Sequence, residues 1–186
     1  MIAPAEFRIL DDLPRPTAEE EFDALDLIER DHAQQLKVCA LLLEAGPNIV
    51  DEPDGHLVAA IIRFLKQTLP HHLNDEERGL FPLLEERCGQ ESDVRAIIRQ
   101  LQSEHEFDED LVDFLLSDLE VLAQGRRLAN PQRLNLNLHA FAQGLQRHIQ
   151  WENAVVMPLA RRVLQAEDLE RLGREMVISR WSGPAA

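Results

Sequence analysis

The chain has 186 residues, 45% hydrophobic and 28% charged, enough for one soluble domain with a sizeable core. It carries 19 Lys and Arg against 34 Asp and Glu; the net charge of -15 repels phosphate backbones and anionic lipid, which argues against nucleic-acid and membrane partners. No apolar run approaches the ~18 residues of a membrane span, residues 1–15 lack the basic-then-apolar order of a secretory signal, and the absence of tyrosine removes tyrosyl-radical mechanisms.

Residues 1–16 hold three prolines and mixed polarity and read as a loose arm. A first helix is expected from Thr17, where Thr-Ala-Glu-Glu forms a capping box, to Ala45, where Gly46-Pro47 is a stop signal. A second runs from about Pro53 to Arg87 and ends at Gly89, with a kink or brief break at Pro70. Ser92 is suited to cap a third helix, which reaches about Gly125. Asn130-Pro131 supplies a cap and a first-turn proline for a fourth, ending near Leu164. A short fifth helix spans about Glu167 to Glu175, and a tail with Gly183-Pro184 follows. The expected fold is all-α: an antiparallel up-down-up-down four-helix bundle over 17–164, with a short extra C-terminal helix within 165–186.

Apolar residues at spacings of three and four mark the inward row of each long helix. The first row reads Leu25, Ile28, His32, Leu36, Cys39, Leu43; the second ends Leu69, His72, Glu76, Leu80, Leu83. The third reads Leu101, His105, Glu109, Val112, Leu116, and the fourth Leu145, His148, Glu152, Val155, Leu159. Every row thus contains a histidine, and three carry a glutamate four residues later, on the same helix face. Chance predicts roughly 0.75 His-xxx-Glu pairs in such a chain, and none need lie on a core row. A buried carboxylate or imidazole without a partner is costly, and a cation removes the cost for several at once. His32, His72, Glu76, His105, Glu109, His148 and Glu152 are therefore the candidate metal ligands. His56, His139 and His71 fall off the rows and read as surface residues; for His71, one step off, a pocket role beside the ligands is the alternative. Neither Cys39 nor Cys88 lies in a CxxC, and both read as structural or incidental residues, a pattern that fits a reducing cytoplasm.

The segments "IERDHAQQL", "HHLNDEERGLFP", "LQSEHEFDEDL" and "LQRHIQWENAVVMPLA" resemble, in this order, the motifs of the hemerythrin-like, or HHE cation-binding, family over about residues 24–164. The resemblance implies a non-haem, oxo- or hydroxo-bridged di-iron centre within the bundle. It assigns His32 and His72 to one iron, His105 and His148 to the other, and Glu76 and Glu152 as bridges. Mixed imidazole and carboxylate ligation suits iron or manganese, and zinc is compatible. Oxygen-carrying members have a histidine where this chain has Glu109. A carboxylate there stabilises the ferric state and disfavours reversible oxygen carriage; left unbound, it leaves that iron an open position.

Two functions follow from the resemblance. One is a di-iron protein that binds or senses dioxygen, or responds to iron, peroxide or nitric oxide, its open position walled by Leu36 and Leu69. The other is a di-iron enzyme with peroxide-decomposing or oxidase-like activity, or one that repairs damaged iron centres. Repair-type relatives often carry a cysteine in an N-terminal segment, and no cysteine precedes Cys39 here. A ferritin-like oxidase needs Glu-xx-His on two helices, and only Glu29 and His32 have that order. No output domain is evident, so sensing requires a separate protein partner.

Overall fold

A computed structural model of the chain describes residues 23–89 and 92–181, and all regular structure among the described residues is helical. Helix α1 (Ala24–Asp51) opens at Asp23, whose carboxylate accepts from the N–H groups of Leu25 at 2.8 Å and Asp26 at 3.2 Å. The expected capping box at Thr17 lies outside the described residues. The expected stop at Gly46-Pro47 is corrected: the helix passes through it to Asp51. The physical reason is burial: the inward row continues to the buried Ile49. A Cβ on Gly46 would come within 3.1 Å of Asn135 Oδ1, so the glycine serves close helix packing here rather than termination.

Helix α2 spans residues 55–88 and starts on Asp54, which caps His56 and Leu57. It absorbs Pro70 without a break. The turn before it, Phe64–Thr68, widens into π-helix, with Leu69 N–H bonded to the carbonyl of Phe64. The same device recurs at Asp75–Leu80 ahead of Pro82. It recurs again at Glu152–Val156 ahead of Pro158. Each proline lacks an N–H, so a carbonyl of the preceding turn loses its usual donor; widening the turn redistributes the bonds. Gly89 then ends α2 with φ 60°.

Helix α3 (Ser92–Ala123) closes with Gly125 N–H on the carbonyl of Leu122 and Arg126 N–H on that of Val121, and Gly125 takes φ 68° as this terminus requires. Helix α4 spans residues 131–163; Asn130 caps it through Arg133 N–H and Pro131 leads it, as expected. Helix α5 (Ala166–Trp181) is longer than the expected 167–175, because Met176, Ser179 and Arg180 in its added turns pack on α1 and α2.

Two apolar layers make the core. One gathers Phe64, Leu115, Leu138, Phe141 and Ile61; the other Leu25, Phe81, Leu101, Met157 and Leu172. Between them lies a buried polar layer that includes Asp31, His32, Gln35, His72, Glu76, His105, His148 and Glu152. No described helix is long and apolar enough to cross a membrane.

Candidate metal centre

The polar layer brings six of the expected ligands together as two overlapping groups. His32, His72, Glu76 and Glu152 form one; Glu76, His105, His148 and Glu152 form the other. All are buried, and one ligand atom from each lies within 4.8 Å of the others in its group. Glu76 and Glu152 belong to both groups, so they stand between two candidate cation positions.

Glu109 does not join them; it is exposed. The reason is helical phase. An α-helix turns by ~100° per residue, so successive four-residue steps swing the inward row away from the core. In α2 and α4 the wide turns containing Glu76 and Glu152 absorb that drift. There 72, 76 and 80, and 148, 152 and 156, are all buried. Helix α3 has no such turn, and its inward row runs Leu101, His105, Asp108, Val112, Leu115 instead. The same phase puts the buried Gln35 and Leu42 of α1 inward of the half-buried Leu36 and Leu43. In α4, Val156 and Ala160 replace the expected Val155 and Leu159. His56 and His139 are exposed and His71 half-buried.

Each imidazole turns Nε2 toward the centre and Nδ1 outward. His32 Nε2 lies 3.3 Å from oxygens of both Glu76 and Glu152. His72 Nε2 lies 3.4 Å from Glu76, and His148 Nε2 3.4 Å from Glu152. Outward, His32 Nδ1–H donates to Asn153 Oδ1 at 2.7 Å, His105 Nδ1–H to Glu77 at 2.7 Å, and His148 Nδ1–H to Glu104 at 2.9 Å. His72 Nδ1 faces Asp31 Oδ2 at 3.5 Å, without a hydrogen bond. The partners run in a closed ring: α1 is held by α4, α2 faces α1, α3 is held by α2, and α4 by α3. Phe81 stacks on His105 with centroids 5.9 Å apart.

These outer bonds fix the tautomers. For His105 and His148 the outer partner is a carboxylate, which only accepts, so Nδ1 carries the proton and a neutral ring offers a bare lone pair at Nε2. His105 Nε2 and His148 Nε2 then face each other at 3.0 Å with lone pairs converging. Glu76 Oε2 and both Glu152 oxygens are buried without a hydrogen-bond partner among the described residues. Converging lone pairs and unpartnered anionic oxygens repel one another unless positive charge lies among them. Protons supply it in the metal-free protein. Burial alone would lower the His32 pKa, but Glu152 and Glu76 outweigh it and push it up to about 10. For His148 burial is likewise outweighed, by Glu152, Glu76 and Glu104, and the value rises to about 9. His105 is also raised, through Glu77 and Glu76 against burial. Burial would raise Glu152, yet His148 and His32 hold it well below the usual carboxylate range.

The sequence profile of the hemerythrin HHE cation binding domain matches residues 23–160. The chain belongs to the hemerythrin HHE cation-binding family. No curated protein and no solved structure matches it. The matched span of this hemerythrin-like chain holds all six clustered residues and stops before α5. A donor set of imidazoles and carboxylates with unpartnered inward oxygens fits a bound metal cation.

Sequence reasoning missed the outer partners Asp31, Glu77, Glu104 and Asn153. Each is the immediate neighbour of a clustered residue, which is the one signal the sequence holds for them. Glu29, half of the ferritin-like order, instead pairs with Arg161 at 2.8 Å.

Proposed function

We propose that this chain is an antiparallel up-down-up-down bundle that holds two non-haem irons, and that it binds or senses dioxygen, or responds to iron, peroxide or nitric oxide, at that pair. The observation that carries this reading is the sharing of Glu76 and Glu152 between two buried four-donor groups. His32 and His72 serve one iron, His105 and His148 the other, and the two glutamates bridge. Irons held by these residues would supply the electrons and Lewis acidity for binding a small ligand. The protein's part is to turn four Nε2 atoms inward, three of them held by outer bonds to Asn153, Glu77 and Glu104, and to exclude water with the apolar layers on either side. Neither the buried Cys39 nor the half-buried Cys88 forms a disulfide among the described residues, which suits a reducing cytoplasm.

One observation favours a second reading, a di-iron enzyme acting on peroxide or an organic substrate. A cavity of about 570 Å³ is lined by His105 together with Leu69, Leu73, Glu77, Asp108 and Val112. That space exceeds the needs of a diatomic ligand.

Iron loading of the purified protein tests the first reading: about two irons per chain are expected, and His72→Ala and Glu152→Ala should each lose metal. Full iron occupancy in both variants would overturn the ligand assignment. An anaerobic-to-aerobic optical titration then reads ligand binding directly. Oxygen evolution on adding peroxide would select the second reading.

A further inference from the structure

Helix α5 lies beyond the segment that matches the family, yet it reaches the polar layer. Its start is pinned by Asp168, which accepts from Arg87 Nε at 2.7 Å and Nη2 at 2.8 Å and also caps Gln165 N–H. Its middle sets Leu172 against Gly79 in the wide turn of α2. Its end delivers Arg180 between two buried carboxylates. Arg180 Nε donates to Asp75 Oδ2 at 2.5 Å, Arg180 Nη2 donates to Asp31 Oδ2, and Ser179 Oγ donates to Asp75 Oδ1 at 3.0 Å. The Arg180 side chain is 8% exposed, and those of Asp31 and Asp75 5% and 1%.

Asp31 Oδ2 is the same atom that faces His72 Nδ1 at 3.5 Å. Three of the four imidazoles have an outer bond of 2.7–2.9 Å; His72 does not, and its Nδ1 is unpartnered. The guanidinium bonds that oxygen, while the imidazole stands 3.5 Å from it with Nδ1 unpartnered. A charge-assisted bond to arginine is the stronger claim.

We propose that Arg180 is a positioning residue for the His72 side of the centre: by holding Asp31 it keeps that carboxylate from closing on His72, and so makes His72 the least electron-rich of the four imidazole donors. A carboxylate bonded to the far nitrogen of a ligating histidine raises its basicity as a ligand. Withholding that bond favours the lower-charged, ferrous state at this position. The two halves of the centre are thereby unequal, and an element outside the family's matched span sets the inequality. This inference rests on the di-iron reading above.

The test uses the full chain. In metal-free wild type, the His72 Nδ1–H resonance should lie upfield of, and exchange faster than, those of His32, His105 and His148; a downfield, protected His72 proton would overturn the proposal. In the iron-loaded protein, Arg180→Gln frees Asp31 to bond His72 and should shift the ferric-to-ferrous preference toward ferric by about tenfold, the lower end of outer-partner effects. Arg180→Lys retains the charge and should return the potential to near the wild-type value. The shift caused by Arg180→Gln should vanish in an Asp31→Asn background, because it acts through that carboxylate. An Arg180→Gln potential equal to wild type, or a shift of the same size without Asp31, overturns the inference and leaves the di-iron reading standing. Wild-type protein that takes up no iron overturns both. Should Arg180→Gln lose helical content, the wild-type resonance decides alone.

Discussion

At the centre, the chemistry of single side chains follows from which atom of each ring faces inward. Glu76 and Glu109 make the contrast: both follow a histidine by four residues, but one is buried in both groups and the other is exposed. Glu76→Gln should therefore cost most of the bound metal, whereas Glu109→Gln should leave the metal content unchanged; equal loss in the two variants would contradict the geometry. Gln35 poses a different question. It is 1% exposed, and neither amide atom has a hydrogen-bond partner among the described residues. An unsatisfied buried amide costs ~1–3 kcal/mol, so Gln35→Leu should raise the unfolding free energy of the metal-free protein by about 1 kcal/mol. A fall in denaturant midpoint would show instead that this amide is satisfied.

At the level of helices, the three wide turns connect sequence to site. A proline two residues beyond each turn removes a donor, the turn widens, and the extra residue keeps two successive four-residue steps facing inward. The prolines were visible in the sequence, as were the histidines and the glutamates of α2 and α4, because spacing shows which residues share a helix face. The fate of Glu109 was not visible, since a run of apolar residues at three and four fits two neighbouring phases equally well, and only packing chooses between them. Gly46-Pro47 misled for a related reason: a local stop signal was outweighed by the burial of Ile49 beyond it. Arg180 was illegible because nothing in the local sequence of α5 announces two carboxylates from distant helices. Close contact between α5 and the second wide turn can be tested. A Cβ on Gly79 would stand 2.5 Å from Leu172 Cδ1, and Leu172 is fully buried. Gly79→Ala should destabilise the protein by about 1–3 kcal/mol, and Leu172→Ala in the same chain should recover part of that in a double-mutant cycle; additive losses would show no contact.

For the molecule as a whole, the centre ties stability to pH and to metal. Folding lifts the pKa of His32 to about 10 and that of His148 to about 9 from the ordinary imidazole value. Protonation of these rings then favours the metal-free fold. That contribution is complete below about pH 6.5 and disappears as pH rises through the folded values. Thermal melts of metal-free protein should accordingly show a lower midpoint at about pH 10 than at about pH 7. Metal loading displaces the same protons, so it should release acid into weakly buffered solution and abolish the alkaline loss. A metal-free midpoint that is flat across this range would contradict the assignment.

Because every helix steadies or faces the ring of its neighbour, no two-helix fragment contains a finished binding site. His32 needs Asn153 from the far end of the chain, and His105 needs Glu77 from the helix before it. Each four-donor group likewise draws on three helices, α4 among them in both cases, so neither group is complete until α4 has docked.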